Sequence, residues 1–317
     1  MRKQSWRLLA VLVAASIGGC AGLVPYEEAI ERLPSGEFLD IDGTSVHIER
    51  VGGGMGAGPV ILVHGFGAST FSWRHVIPEL SESHPVVAVD LYGFGLTERP
   101  RKRSRYSRSA QVQLLASVLE ELEWPSAHFV GHSYGGGLAM SLAHTQPDKV
   151  RSLVLVGSTS PDYGDTRRTI FAVPPLANLF VHTLLRPRFV RRSLARSFHD
   201  DEAVTDDLVA AYLARVKIRG AIRAYRGLTG PRRPDPRFAD FSYERLAQPT
   251  LLVWGADDQL IAADDGRAAA ERLPHGRFVA IQGCGHLPME EKPEELLAEL
   301  VPFLREVDAL QQVTPSP

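Results

Sequence analysis

The stretch FVGHSYGGGLAM at positions 129–140 constrains this chain more than any other. Apolar, β-favouring residues run into Gly131, a serine follows at 133, and Gly135, Gly136 and Gly137 open a segment of helical period. Glycine weakens the interiors of both strands and helices, so this many at one junction need a reason. A solvated loop would account for the glycines but not for the apolar residues on both sides. A forced strand-to-helix turn accounts for both. It puts Ser133 in a strained backbone conformation, and Gly131 and Gly135, two positions away on either side, are small enough not to collide with it. The turn then projects the Ser133 hydroxyl from the carboxyl edge of a sheet, while Gly136 lets the following helix pack closely.

The surrounding chain supplies that sheet. Eight short runs are rich in β-branched and apolar residues and bounded by turn residues: EFLDI, SVHIER, PVILV, PVVAV, AHFVG, SLVLVG, PTLLVW and RFVAIQ. The first two flank Asp42-Gly43-Thr44, which reads as a hairpin. From the third run onward, helical-period stretches separate most strands. The fold class is therefore α/β, an eight-stranded, mostly parallel sheet with helices on both faces. Its core is assigned to residues 37–160 and 249–309. Between 161 and 248 nothing reads as a strand, and the segment is expected to form a helical cap or lid. Residues 310–317 are expected to be a disordered tail. With 317 residues, 44% of them hydrophobic, one large domain with an insertion is well within reach.

A serine nucleophile needs a base, and the base needs an orienting acid. Past the seventh run, LLVWGADDQLI offers Asp257 and Asp258; Asp258 is preferred and Asp257 is the fallback. Past the eighth, IQGCGHLPMEE offers His286. Oxyanion donors are expected from the backbone N–H groups of Tyr134, next after the nucleophile, and Phe66 in the loop after the third run. His64, in the same loop, is expected to be structural. GGGMGAGP near residue 52 is no phosphate loop, because it leads into a strand and not a helix. No zinc pattern occurs, so no metal is expected.

VILVHGFGAST, VVAVDLYGFGLTERP, FVGHSYGGGLAMSLA, LLVWGADD and GCGHLPMEEKPEE together resemble the α/β-hydrolase superfamily, in the branch with a helical cap after the sixth strand. The resemblance spans about Phe38 to Val307 outside the cap. It implies Ser133 as nucleophile, His286 as base, Asp258 as its orienter, no cofactor, and a small-molecule ester as substrate. Relatives that use an aspartate nucleophile are set apart by Ser133. Carbon–carbon bond hydrolases of this outline commonly place asparagine where His132 stands, which leaves ester hydrolysis the leading reading and carbon–carbon cleavage the alternative. A non-catalytic lipoprotein binding module is the alternative from another class.

The amino terminus has a different character. Arg2, Lys3 and Arg7 precede an apolar run from Leu8 to Ile17 and small residues before Cys20, the layout of a secretory signal. Ile17-Gly18-Gly19-Cys20 resembles a bacterial lipobox, which implies a signal peptide at 1–19, lipidation of Cys20, a tether over 20–36 and a membrane-anchored protein of the cell envelope. An uncleaved anchor is the competing reading. Cys284 is then without a disulfide partner and reads as a small loop residue. A net charge of −2 argues against a nucleic-acid partner. The charge is uneven, however: residues 161–245 hold sixteen Arg or Lys against ten Asp or Glu, and RPRKRSRYSR begins at Arg99. A solvated surface, anionic lipid headgroups and an anionic substrate all remain open as explanations.

Overall fold

A computed structural model describes residues 22–33, 36–53, 57–161, 186–229 and 235–313. The expected signal segment and Cys20 lie outside them, as do 162–185 within the expected cap. The eight strands fall where the apolar runs place them: β1 Glu37–Ile41, β2 Thr44–Val51, β3 Val60–Val63, β4 Val86–Val89, β5 Ala127–His132, β6 Val150–Val156, β7 Thr250–Gly255 and β8 Gly276–Ile281. They form one sheet in the order β1-β2-β4-β3-β5-β6-β7-β8. β2 alone runs against the rest, pairing antiparallel with both β1 and β4. Asp42 and Gly43, both at positive φ, make the two-residue hairpin loop before it, as that turn geometry demands.

The central strands VILV and VVAV are buried along their whole length because helices cover both faces of the sheet. On one face lie α3 (Arg108–Glu121), α4 (Tyr134–Thr145) and α8 (Ala263–Arg272); on the other, α2 (Ile77–Ser81) and α10 (Pro293–Val313). Ser107 caps α3 by accepting the Ala110 N–H. α4 follows Ser133 directly and is buried from Gly135 to Ala143, so the candidate nucleophile stands on a helix that cannot shift without disturbing the core.

Between β6 and β7 the described part of the cap is helical: α5 Pro187–Ser197, α6 Asp206–Val216 and α7 Ala221–Thr229. Two expectations need correction. The presumed tether contains a helix, α1 Tyr26–Arg32, whose buried Ala29 packs with Leu96 and Ile218. Val24 also forms a parallel bridge with Ile218 of the cap. At the other end, α10 continues to Val313, so residues 310–313 are helical and not tail. The apolar spacing that buries Phe303, Leu304 and Val307 carries the helix onward.

The basic stretch after β4 is likewise not all surface. Arg99 is buried, and its guanidinium donates to the carbonyls of Thr97, Gly95 and Arg215, tying the core to the cap. Among the described residues no helix is long and apolar enough to cross a membrane.

Candidate active site

Ser133 has φ 49° and ψ −116°, a left-handed conformation that a residue with a Cβ adopts only under constraint. The constraint is a set of hydrogen bonds. The Ser133 N–H donates to the Val156 carbonyl at 2.9 Å, and its own carbonyl accepts from the N–H groups of Gly136 and Thr159, each at 3.1 Å. The flanking glycines stand against backbone on both sides. A Cβ at Gly131 would lie 2.5 Å from the Gly136 Cα, and one at Gly135 would lie 2.6 Å from the His64 carbonyl oxygen. Both clashes are with backbone that cannot withdraw. Gly135→Ala is therefore expected to cost about 2–3 kcal/mol of stability, read as a lower urea midpoint with unchanged slope.

His286 lies past β8 and Asp258 past β7. The imidazole Nδ1 is 2.7 Å from Asp258 Oδ2, while Asp258 Oδ1 accepts the N–H groups of Leu260 at 2.8 Å and Ile261 at 3.0 Å. The Asp258 side chain is fully buried and that of His286 nearly so. The carboxylate fixes the tautomer: Nδ1 carries the hydrogen and Nε2 is left with its lone pair. Asp257, the fallback, is half exposed and faces His199 at 3.1 Å. The geometry therefore separates two aspartates that sequence position alone hardly distinguishes.

The end of β6 brings these groups together. A Cβ on Gly157 would lie 3.2 Å from His286 Nδ1 and 3.4 Å from Asp258 Oδ2, and the carbonyl of the preceding Val156 holds the Ser133 N–H. His132 ties the serine's strand to the histidine's loop from the other side. Its Nε2–H donates to the His286 carbonyl at 2.8 Å, and the two imidazole rings are 4.7 Å apart. Burial, with the nearby His286, holds the His132 pKa well below the ordinary range, so this ring is neutral. Its Nδ1 is buried with no hydrogen-bond partner among the described residues.

The loop after β3 closes the site. Gly65 abuts Ser133, since a Cβ there would lie 3.2 Å from the Ser133 Cβ. His64 is wholly buried; its Nδ1–H donates to the Gly65 carbonyl at 2.7 Å and its Nε2 accepts the Leu91 N–H at 3.1 Å. Both ring nitrogens are thus committed to shaping the loop, and burial pushes the pKa down. The Phe66 ring is 45% exposed at the mouth, edge-on to Phe94, Tyr134 and Tyr225 of the cap. Tyr134 opens α4, at the helix end that the backbone dipoles make positive.

Three groups that support this geometry were not legible in the sequence. Asp90, fully buried, accepts from Thr70 N–H, Leu96 N–H and His47 Nδ1, each at 2.7 Å, and so braces the loops after β3 and β4. Burial opposes its charge, but these hydrogen bonds and the nearby histidines hold the carboxyl down to about 2. An acid ending an all-apolar strand was the available signal. The others are Glu290 and Glu291, past His286. Cys284 is buried, and burial pushes its thiol pKa up, in keeping with an inert loop residue. Among the described residues no cluster of His, Cys, Asp or Glu could hold a metal ion.

Comparison with known proteins places the chain. The α/β hydrolase fold family matches residues 58–293. The chain is 31% identical over 269 residues to 2-hydroxymuconate semialdehyde hydrolase of Pseudomonas sp. strain CF600, covering 80% of this chain and 89% of that one. It is 27% identical over 270 residues to the uncharacterized hydrolase YugF of Bacillus subtilis, covering 84% and 96%. The solved meta-cleavage product hydrolase of Pseudomonas fluorescens IP01 superposes with a TM-score of 0.72 at 26% identity, covering 86% of this chain and 99% of that one. Sheet order, strand-to-helix serine turn and family match agree: the chain belongs to the α/β-hydrolase family and is a hydrolase.

Proposed function

We propose that the chain is a serine hydrolase that cleaves carboxylic esters through an acyl-enzyme. The observation that carries this reading is the buried Asp258–His286 hydrogen bond at 2.7 Å at the end of β6, where the Val156 carbonyl also holds the N–H of Ser133 at positive φ. His286 Nε2 takes the proton as Ser133 Oγ attacks the ester carbonyl, and Asp258 balances the imidazolium that forms. The N–H groups of Phe66 and Tyr134 stabilise the oxyanion. His286 then returns the proton to the leaving alcohol, and water repeats the sequence to release the acid. A fluorophosphonate probe should label the chain once, on Ser133. A chain that stays unlabelled while folded, as a binding module would, sinks the proposal.

Carbon–carbon cleavage is the second reading, favoured by the likeness to 2-hydroxymuconate semialdehyde hydrolase and to the meta-cleavage product hydrolase. Against it stands His132, whose Nε2–H is already committed to the His286 carbonyl. The two readings part on substrate: p-nitrophenyl esters should turn over at least about tenfold faster than a vinylogous 1,5-diketone, and the reverse ratio would favour the second. The same proposal places the enzyme at the bacterial cell envelope through a lipid on Cys20. Supporting this are the basic start, apolar run and small residues that precede it. Cys20→Ser should abolish incorporation of a labelled fatty acid.

A further inference from the structure

Cap and histidine loop are fastened together at the level of the backbone. The carbonyl of Ser197, at the end of α5, accepts the His286 N–H at 2.6 Å. Gly285 lies against the same turn: a Cβ there would lie 2.5 Å from the Ser197 carbonyl oxygen and 2.7 Å from the His199 nitrogen. α9 (Pro288–Glu291) supplies the bridge. One Glu291 carboxylate oxygen accepts the Gly285 N–H at 2.9 Å, and the other accepts the His199 N–H at 2.6 Å. A single carboxylate thus joins the residue before His286 to the cap.

Its neighbour repeats the pattern further along. Glu290 takes both guanidinium nitrogens of Arg74, at 2.7 and 2.6 Å, and accepts the Tyr212 hydroxyl of α6 at 2.7 Å. Charge-assisted bonds of this kind are about twice as strong as neutral ones and fix direction as well as distance. Burial pushes the Glu291 carboxyl up, and the amide hydrogen bonds are what stabilises its anion.

We propose that Glu291 is a positioning residue for His286, and that the cap must be seated on the core for the imidazole to be held in working position. This rests on the triad reading above. Glu291 is only half buried, so its removal leaves no core void. The freed amide of exposed His199 can turn to water while that of buried Gly285 is left without its acceptor, and the loop then loses its direction without the fold being lost. Displacements of about 1 Å at a reacting group can cost on the order of a hundredfold in rate.

The test uses the full chain with Glu291→Gln and Glu291→Ala. For a p-nitrophenyl ester, kcat should fall about 10- to 100-fold with KM changing little, and fluorophosphonate labelling of Ser133 should slow in parallel. Amide hydrogen exchange at Gly285, His286 and His199 should quicken while that of β5, β6 and β7 does not. A wild-type chain that ignores the probe brings down the triad reading and this proposal with it. A reactive wild type with both variants within about twofold of its kcat overturns the positioning role alone, being far short of that expected loss. So does a loss of kcat with exchange at 285 and 199 unchanged. Should Glu291→Ala fail to fold, the near-isosteric Glu291→Gln and the wild-type exchange decide: unprotected amides at Gly285 and His199 overturn the bridge.

Discussion

Asp258→Asn is expected to fold normally and to lose about four orders of magnitude in kcat on p-nitrophenyl esters, as tautomer inversion does elsewhere. The reason lies in how the carboxylate is held. Its Oδ1 already accepts two backbone N–H groups, from Leu260 and Ile261. An asparagine must keep its own oxygen there, which turns its NH2 toward His286 Nδ1. That nitrogen can then only accept, the ring hydrogen moves to Nε2, and the lone pair meant for the serine proton is gone. Size and burial hardly change, so the melting transition should move little. Asp257→Asn is the control, since its carboxylate faces His199 at the surface. If Asp257→Asn proves the more damaging change, the orienting acid has been misassigned.

Ser133→Ala should be at least as damaging to turnover, by about 10⁴-fold or more, and should abolish probe labelling. Its fold should survive. The bonds that hold residue 133 at positive φ are made by its backbone N–H and carbonyl, and alanine keeps both. Residual hydrolysis would come from whatever the oxyanion donors supply to water. Steady-state kinetics together with circular dichroism separate loss of chemistry from loss of structure; ester turnover near the wild-type rate would end the nucleophile assignment.

How much of this could be read from the sequence depended on distance along the chain. The central strands were legible because their burial is total and their ends are marked by turn residues, so VILV and VVAV could not be mistaken for an exposed loop. The serine turn was legible because its sterics act within four residues of Ser133. Asp258 against Asp257 was a weaker choice. It depends on which carboxylate meets the Leu260 and Ile261 amides, and adjacent aspartates look alike until the loop closes. What the sequence hid lies between distant segments. Glu291 meets the His199 N–H across 92 positions, and Arg99 meets the Arg215 carbonyl across 116. α1 leaves little mark in the sequence because an isolated seven-residue helix is marginal in water. Its stability comes from docking on Leu96 and Ile218.

That docking has a mechanical consequence. Val24 donates its N–H to the Lys217 carbonyl and accepts from the Arg219 N–H, both at 2.8 Å, while the Tyr26 hydroxyl reaches Ser45 of β2, so the amino-terminal segment is stitched to the cap and to the sheet alike. Four extended residues reach no more than about 14 Å. On the proposed lipid at Cys20, the bilayer would therefore hold cap and sheet on one short leash, bracing the seam between them.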